Sequence, residues 1–311
     1  MSDLPTVPAT AAPRRSGGRV RVSGTDRIFL VVMVAIPTIL VVLWVWLPAI
    51  ASVVLSFARW TGVGGLDTIQ WIGTENYKNV FTNYPPFAPA LRHNLIWLVF
   101  LFVLPTLFGM FLAVLLDREL RGTRFYQTAL FLPVVLSLAL IGFIWQLLYS
   151  RDQGLLNAVL HTQIDWYGDS RWNLWAVLVA ASWRHAGYIM LLYLAGLKGV
   201  DPSLREAAAV DGASQVRTFF SVVFPVMRPI NIIVLVVTVI ESLRGSFDIV
   251  YVINGGKNGL ELLNVLVYDN IVGEASRIGY GSALGTILLV ISLGFIVSFL
   301  IINFRREARD K

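Results

Sequence analysis

Long uncharged apolar runs recur along this chain, separated by polar segments rich in Arg, Gly, Asn and Pro. An apolar run of about twenty residues is long enough, as a helix rising about 1.5 Å per residue, to cross a hydrocarbon layer of about 30 Å. The runs show no strict apolar/polar alternation, so half-buried strands are not expected. Six helical spans are placed on this basis, at about 28–57, 95–116, 125–149, 174–197, 230–253 and 283–304. Pro37, Pro48, Pro105 and Pro133 fall inside them. Proline breaks a soluble helix, but within a bundle the freed carbonyls find partners on neighbouring helices.

Composition supports a membrane solvent: 56% of the 311 residues are hydrophobic and 14% charged, against roughly 25% charged in soluble domains. The expected class is therefore an all-α integral membrane protein. With no cysteine, disulfides and thiolate metal sites are excluded, and His93, His161 and His185 have no ligand spacing. No metal site and no cofactor is expected in the chain. The net charge of +6 is explained by membrane topology, without a nucleic-acid partner. Sixteen of the twenty-five Lys and Arg lie in residues 1–27, in the segments after spans two and four, and after span six. The alternate segments 58–94, 150–173 and 254–282 carry seven. The positive-inside rule then puts both termini in the cytoplasm of a multi-pass cell-membrane protein. Trp60, Trp71, Trp166 and Trp172 fall on the outer side, where amphipathic rings favour the interface.

The organisation that follows is a disordered cytoplasmic tail over 1–26, too poor in apolar residues to fold, and a first span with its extracytoplasmic loop over 27–94. A five-span core follows over 95–304, then a short cytoplasmic tail over 305–311. A cleaved signal peptide is the lesser reading of the N-terminus, since the apolar run is long and lacks a small-residue cleavage site.

Residues 196–229 are too polar to span the membrane, yet they carry their own helix signals. Asp201 precedes Pro202 as an N-cap precedes a first-turn proline, and Ser203 and Glu206 have capping-box spacing, so a short helix runs through Ala209. Gly212 ends it. Val216, Phe219, Phe220 and Val223 then recur at helical spacing until Pro225 and Pro229. Two short helices at a sharp turn make a knob fit to dock into a soluble partner. An amphipathic hairpin lying in the headgroup layer fits the same residues equally well.

The stretch Glu206-Ala207-Ala208-Ala209-Val210-Asp211-Gly212, followed after nine residues by Val222 and then Phe224-Pro225, resembles the EAA loop of binding-protein-dependent ABC importer permeases. That pattern reads EAA, three residues, Gly, nine residues, Ile-x-Leu-Pro. Further similarity runs from Ile28 almost to the end of the chain. It includes Trp71-Ile72-Gly73 leading to Glu75-Asn76-Tyr77, then Gly154-Leu155-Leu156-Asn157, Leu194-Ala195-Gly196-Leu197, Asp211-Gly212-Ala213-Ser214, Phe247-Asp248 and Gly279-Tyr280-Gly281-Ser282-Ala283. These look like the carbohydrate-uptake branch, of maltose, α-glucoside and glycerol-phosphate type. Where that branch reads Thr-x-Gly-Gly-Pro after span five, this chain has Asn254-Gly255-Gly256-Lys257.

The resemblance implies a six-helix type I importer bundle whose EAA loop seats in a cytoplasmic ATPase subunit. Glu206 would meet the edge of the ATPase cleft, Ala207 and Ala208 would allow close approach, Gly212 would permit the turn, and Asp211 belongs to the same element. It implies as partners an ATPase dimer that binds ATP and Mg, a second permease, an extracytoplasmic solute-binding protein, membrane lipid and a sugar, such as a di- or oligosaccharide. The chain itself contains no Gly-x4-Gly-Lys-Ser/Thr phosphate loop. It is expected to be a transporter subunit, with no catalytic residue of its own.

Within the bundle, Glu241, Arg244 and Asp248 share one face of span five at i, i+3 and i+7, where Arg244 is in reach of either carboxylate. Charge at mid-membrane costs about 2.5–3.5 kcal/mol per residue even on the insertion scale, so this face looks into protein or water. Two readings stay open: a structural ion pair, or a substrate chamber lined by Glu241, Arg244, Ser246 and Phe247. Span four adds Trp183, Arg184, His185 and Tyr188, with Tyr188 the candidate ring for stacking on a sugar. A permease of the same class for a non-sugar solute is the alternative. A secondary transporter is disfavoured by the span number and the lack of a repeat. A membrane enzyme lacks convergent acid, base or nucleophile groups.

Overall fold

An apolar helix with no polar stripe needs hydrocarbon or protein around it, and the first helix is of that kind. In the computed structural model, which describes residues 23–118, 121–273 and 276–309, α1 (Gly24–Leu55) has a mean hydropathy of 3.0 over its most apolar stretch. The Ser23 amide donates to the Asp26 carboxylate at 3.3 Å, which starts α1 before the expected position 28. The rest of the expected tail, 1–22, and residues 310–311 lie outside the described residues. The chain divides at Ile50 into two units. In the first, no residue of α1 is buried within the chain.

The second unit begins at Ala51. A two-residue antiparallel ribbon, β1 (Ala58–Arg59) with β2 (Gln70–Trp71), leads to α2 (Glu75–Asn83). The buried Asn76 holds this turn by donating to the carbonyls of Ser56 at 2.9 Å and Ala58 at 2.8 Å. There follow α3 (Phe87–Asp117), α4 (Thr123–Val135), α5 (Leu138–Leu148), the short α6 (Leu155–Leu160) and α7 (Asn173–Lys198). Next come α8 (Pro202–Val210), α9 (215–226), α10 (Arg228–Asn254), α11 (Leu263–Ile271) and α12 (Ile278–Arg309).

The bundle is organised around α7, whose most apolar stretch is 61% buried within the chain, against 33% for α3 and 35% for α10. Small residues set its packing distances. A Cβ on Gly109 of α3 would stand 2.6 Å from the Ala186 carbonyl, and one on Gly187 of α7 would overlap the Leu130 carbonyl of α4. Close backbone approach through glycine is how helices associate where apolar burial gives little preference for protein over lipid. One apolar core, around Trp97, Ile141, Leu178, Ile249 and Leu262, joins α3, α5, α7 and α10 to the loop before α11. A second, around Ala113, Ile189, Tyr193, Val223 and Met227, joins α3 and α7 to α9.

Two expectations are revised. The third span, expected as one helix over 125–149, is two helices meeting at 100°. The break falls at Leu136-Ser137 rather than at Pro133, because Ser137 takes an extended conformation and its hydroxyl caps α5, accepting from the Leu140 amide at 3.2 Å. Among the described residues five helices are long and apolar enough to cross a membrane, six if this bent pair is counted as one span. In addition, the expected outer loop 254–282 contains α11, whose Leu263, Val265, Leu266 and Asn270 are buried.

Candidate functional site: a helical knob and a polar layer

The knob expected over 196–229 is formed. Asp201 caps α8 by accepting from the Ser203 amide at 2.9 Å, with Pro202 in the first turn. This bond and that of the Ser203 hydroxyl hold the Asp201 carboxyl below its usual range. The Ser203 amide is thus already used, and the expected Ser203–Glu206 capping box is replaced by the cap two residues upstream. At the other end, Gly212 adopts φ +75°. Its amide donates to Ala209 at 3.0 Å and that of Ala213 to Ala208 at 3.0 Å. These two bonds are the Schellman pattern, whose first residue past the C-cap is left-handed and favours glycine. The three residues between Ala208 and Gly212 are those that this cap encloses.

Exposure sorts the motif. Glu206, Ala207, Asp211 and Gly212 are exposed, as is Val210 at 88%, whereas Ala208 is buried at 8%. Ala208 thus packs within the chain, since α8 lies on residues 219–223, and Ala207 is the exposed one of the two alanines expected to allow close approach. The second helix also runs further than expected. It continues past Pro225 to Val226 and breaks at Met227, and Pro229 sits in the first turn of α10, where its missing N–H costs nothing.

The polar residues of spans four and five form a layer, with a different pairing from the one expected. Arg184 Nη1 donates to Glu241 Oε2 at 3.1 Å, their side chains 24% and 30% exposed. Arg244 is exposed, as is Asp248. The reason lies in residues Glu241–Gly245, which form a π-helical turn. Its extra residue shifts the 3.6-residue register, so Glu241, Arg244 and Asp248 no longer share a face. The turn's loosened carbonyls are met by Asn264, next to the start of α11. Asn264 donates to Leu243 O at 3.5 Å, Arg244 O at 3.4 Å and, more tightly, Ser246 Oγ at 2.9 Å. Ser246 is buried.

One turn towards α9, His185 Nε2 lies 3.4 Å from Thr106 Oγ1 and 3.3 Å from Thr238 Oγ1. Both hydroxyls already donate, to Leu101 O and Val234 O at 2.8 Å each. Each has one proton, so each can only accept from histidine, which assigns the proton to Nε2. Leu101 is four residues before Pro105, so its carbonyl has lost its helical donor and the Thr106 hydroxyl replaces it.

Trp183 and Tyr188 do not join this layer or each other. Five residues on a helix are about 140° apart. Trp183, 41% exposed, borders a cavity of about 520 Å³ between α3, α4, α5 and α7, also lined by Phe100, Phe108, Trp145 and Ser182. Tyr188 packs on the second core. Phe247 stacks on Tyr251, ring centres 5.3 Å apart, with Tyr268 of α11 at 5.2 Å. Of the expected chamber residues, then, Glu241 and Ser246 border one small space beside Arg184 and His185, and Arg244, Phe247, Trp183 and Tyr188 lie outside it. Arg184 as the partner of Glu241, Asn264 and Tyr268 were not foreseen. Among the described residues no cluster of His, Asp and Glu could hold a metal ion.

A multi-helix apolar bundle with a capped helical knob and few internal charges is the architecture of an integral membrane protein. The chain belongs to the family of binding-protein-dependent transport system inner membrane components, whose profile matches residues 106–310. It is 29% identical over 289 residues to the probable ABC transporter permease protein YurN of Bacillus subtilis, covering 89% of this chain and 96% of that one. It is 31% identical over 262 residues to the xylose/arabinose import permease protein XacH of Haloferax volcanii, covering 81% and 80%. Among solved structures it matches a chain of a bacterial ABC transporter involved in the import of the acidic polysaccharide alginate. The TM-score is 0.77 at 19% identity, over 90% of this chain and 96% of that one. The protein is thus the multi-pass inner-membrane permease of an ABC importer, and not its catalytic subunit. The family is the one that the EAA-like loop suggested.

Proposed function

We propose that this permease carries a sugar or sugar oligomer into the cell, by alternating access driven through the α8–α9 knob. The observation that carries the proposal is the knob's surface. Glu206 and Val210 stand one turn apart and exposed, on a helix whose end is fixed by a glycine Schellman cap. An element presented this way suits a groove on a cytoplasmic ATPase dimer, which supplies ATP and Mg. The excess of basic residues in the same segments supports a cytoplasmic position for the knob and both termini. Glu206, Ala207, Asp211 and Gly212 are the coupling residues. Glu241 and Ser246, with Arg184, border the substrate path, and Phe247, Trp183, Arg244 and Tyr188 act outside that point. Sugar as the cargo is supported by the relative named for xylose and arabinose and by the likeness to the alginate transporter. A second permease completes the pathway, and a solute-binding protein delivers cargo at the outer face. Cargo can drive the transition only as far as it favours one state over the other.

Gly212→Pro removes the amide N–H that donates to the Ala209 carbonyl and imposes φ near −65° where the native value is +75°. In liposomes holding the complete importer, this variant and Glu206→Arg should hydrolyse ATP yet lose most sugar uptake. Unchanged uptake per ATP in both would refute the coupling role. Retention of amino acids or peptides, instead of sugars, by the cognate binding protein would refute the cargo.

A further inference from the structure

The knob must be tied to the spans if it is to move them, and one ionic junction has the required position. Asp117 is the last residue of α3, its side chain 10% exposed. Its Oδ2 accepts from Arg205 Nη1 at 2.8 Å, and Oδ1 lies 3.4 Å from Lys198 Nζ. Arg205 also donates through Nη2 to the Leu197 carbonyl at 3.3 Å. One carboxylate therefore joins the end of α3, the end of α7 and the knob helix α8. Arg205 directly precedes Glu206, so α8 points Glu206 and Val210 outward and reaches the spans with the neighbouring residue.

The junction crosses a gap. Beneath the knob is a cavity of about 340 Å³ lined by Asp117, Arg118, Arg205, Ala209, Gln215 and Phe219, among others. Across it Arg118 donates to Gln215 at 2.8 Å, a second link from α3 to α9. Close packing joins α9 to α3 and α7 through the second core, whereas the direct line from α8 to the end of α3 crosses this space. Where packing is incomplete, displacement passes through the bonds that bridge the space, and charge-assisted bonds are the short, strong ones. We propose that Asp117 is a positioning residue of the transport cycle, through which movement of α8 is passed to α3 and α7. The proposal rests on reading α8–α9 as the docking element.

The test uses the complete importer in liposomes, this chain with its partner permease, ATPase and binding protein. The cargo is whichever radiolabelled sugar the binding protein retains from a panel of xylose, arabinose and maltose. Uptake and ATP hydrolysis are read from the same sample, and ATPase copurification from the same preparation. Asp117→Asn and Arg205→Gln should each lower sugar taken up per ATP at least fivefold while the ATPase copurifies as before. The reversed pair Asp117→Arg with Arg205→Asp, made together with Lys198→Gln so that no two cations face each other, should recover at least half of that loss. An unchanged ratio in both single variants overturns the proposal, as does a loss that tracks poorer ATPase copurification, which would mark an assembly contact. If Asp117→Asn fails to reach the membrane, the Arg205→Gln ratio decides alone. Glu206→Arg separates the two levels. Uncoupling by Glu206→Arg with Asp117→Asn and Arg205→Gln both fully coupled rejects the Asp117 role only, whereas full coupling in both Glu206→Arg and Gly212→Pro rejects the docking reading itself.

Discussion

Arg184 and Glu241 offer a perturbation whose size follows from their surroundings. Truncating one partner of a fully buried ion pair costs about 3–5 kcal/mol, mostly because the other charge is left unpaired. Here the side chains are 24% and 30% exposed, so water reaches part of each, and about 2 kcal/mol is expected for Arg184→Met or Glu241→Leu alone. Arg184 Nε is buried with no partner, so one polar atom gains when the residue is removed. The double variant leaves neither charge behind. It should lose only about 1 kcal/mol, less than either single variant, so the two single losses together exceed it by about 3 kcal/mol, the top of the coupling range for residues in contact. The assay is reversible unfolding of the solubilised chain in mixed micelles titrated with SDS, for the parent, both singles and the double. Additive losses would show that the 3.1 Å contact carries no energy, refuting the pair as a lock. Sugar uptake by the double variant then separates the two roles: a changed half-saturating sugar concentration places the pair on the path, and an unchanged one leaves it as a brace.

Gly187→Val should be among the most damaging single changes in the bundle. Its Cβ would overlap the Leu130 carbonyl, and overpacking costs about 1–3 kcal/mol, so SDS should unfold it at clearly lower fractions than the parent. Asn264→Ala leaves the Ser246 hydroxyl without its 2.9 Å donor, at about 1 kcal/mol. It should also speed amide hydrogen exchange over 243–248 relative to the rest of α10, and equal exchange would remove Asn264 as the brace of the π turn.

The sequence made the bundle legible because hydrocarbon is an undemanding solvent for prediction: length and apolarity suffice to mark a crossing. It made the knob legible as well, because Asp201-Pro202 and Gly212 are local backbone signals. What stayed hidden depended on register and on distant partners. Glu241, Arg244 and Asp248 read as one face under a 3.6-residue period, and a single π turn separates them. Glu241 pairs across fifty-seven positions with Arg184, a residue visible in the sequence but with no periodic link to it. The α11 segment is nine residues long, too short to signal itself as a buried helix by apolar length. The burial of Ala208 was likewise hidden, because a motif gives residue types without their facing, and one position on a helix turns the side chain by about 100°.

The central claim, that the Glu206–Val210 face seats in the ATPase, is open to a direct measurement because the chain has no cysteine. A single cysteine at Val210, 88% exposed, is the natural probe, with a second variant bearing its cysteine at the equally accessible Leu66 of the segment 58–94 (77% exposed). With the complete importer in native membranes, a short thiol-directed photo-crosslinker on Val210→Cys should join the permease to the ATPase, with a yield that changes on adding ATP, and on Leu66→Cys should not. Crosslinking of Val210→Cys to lipid alone, or ATPase adducts in equal yield from both positions, would contradict the account.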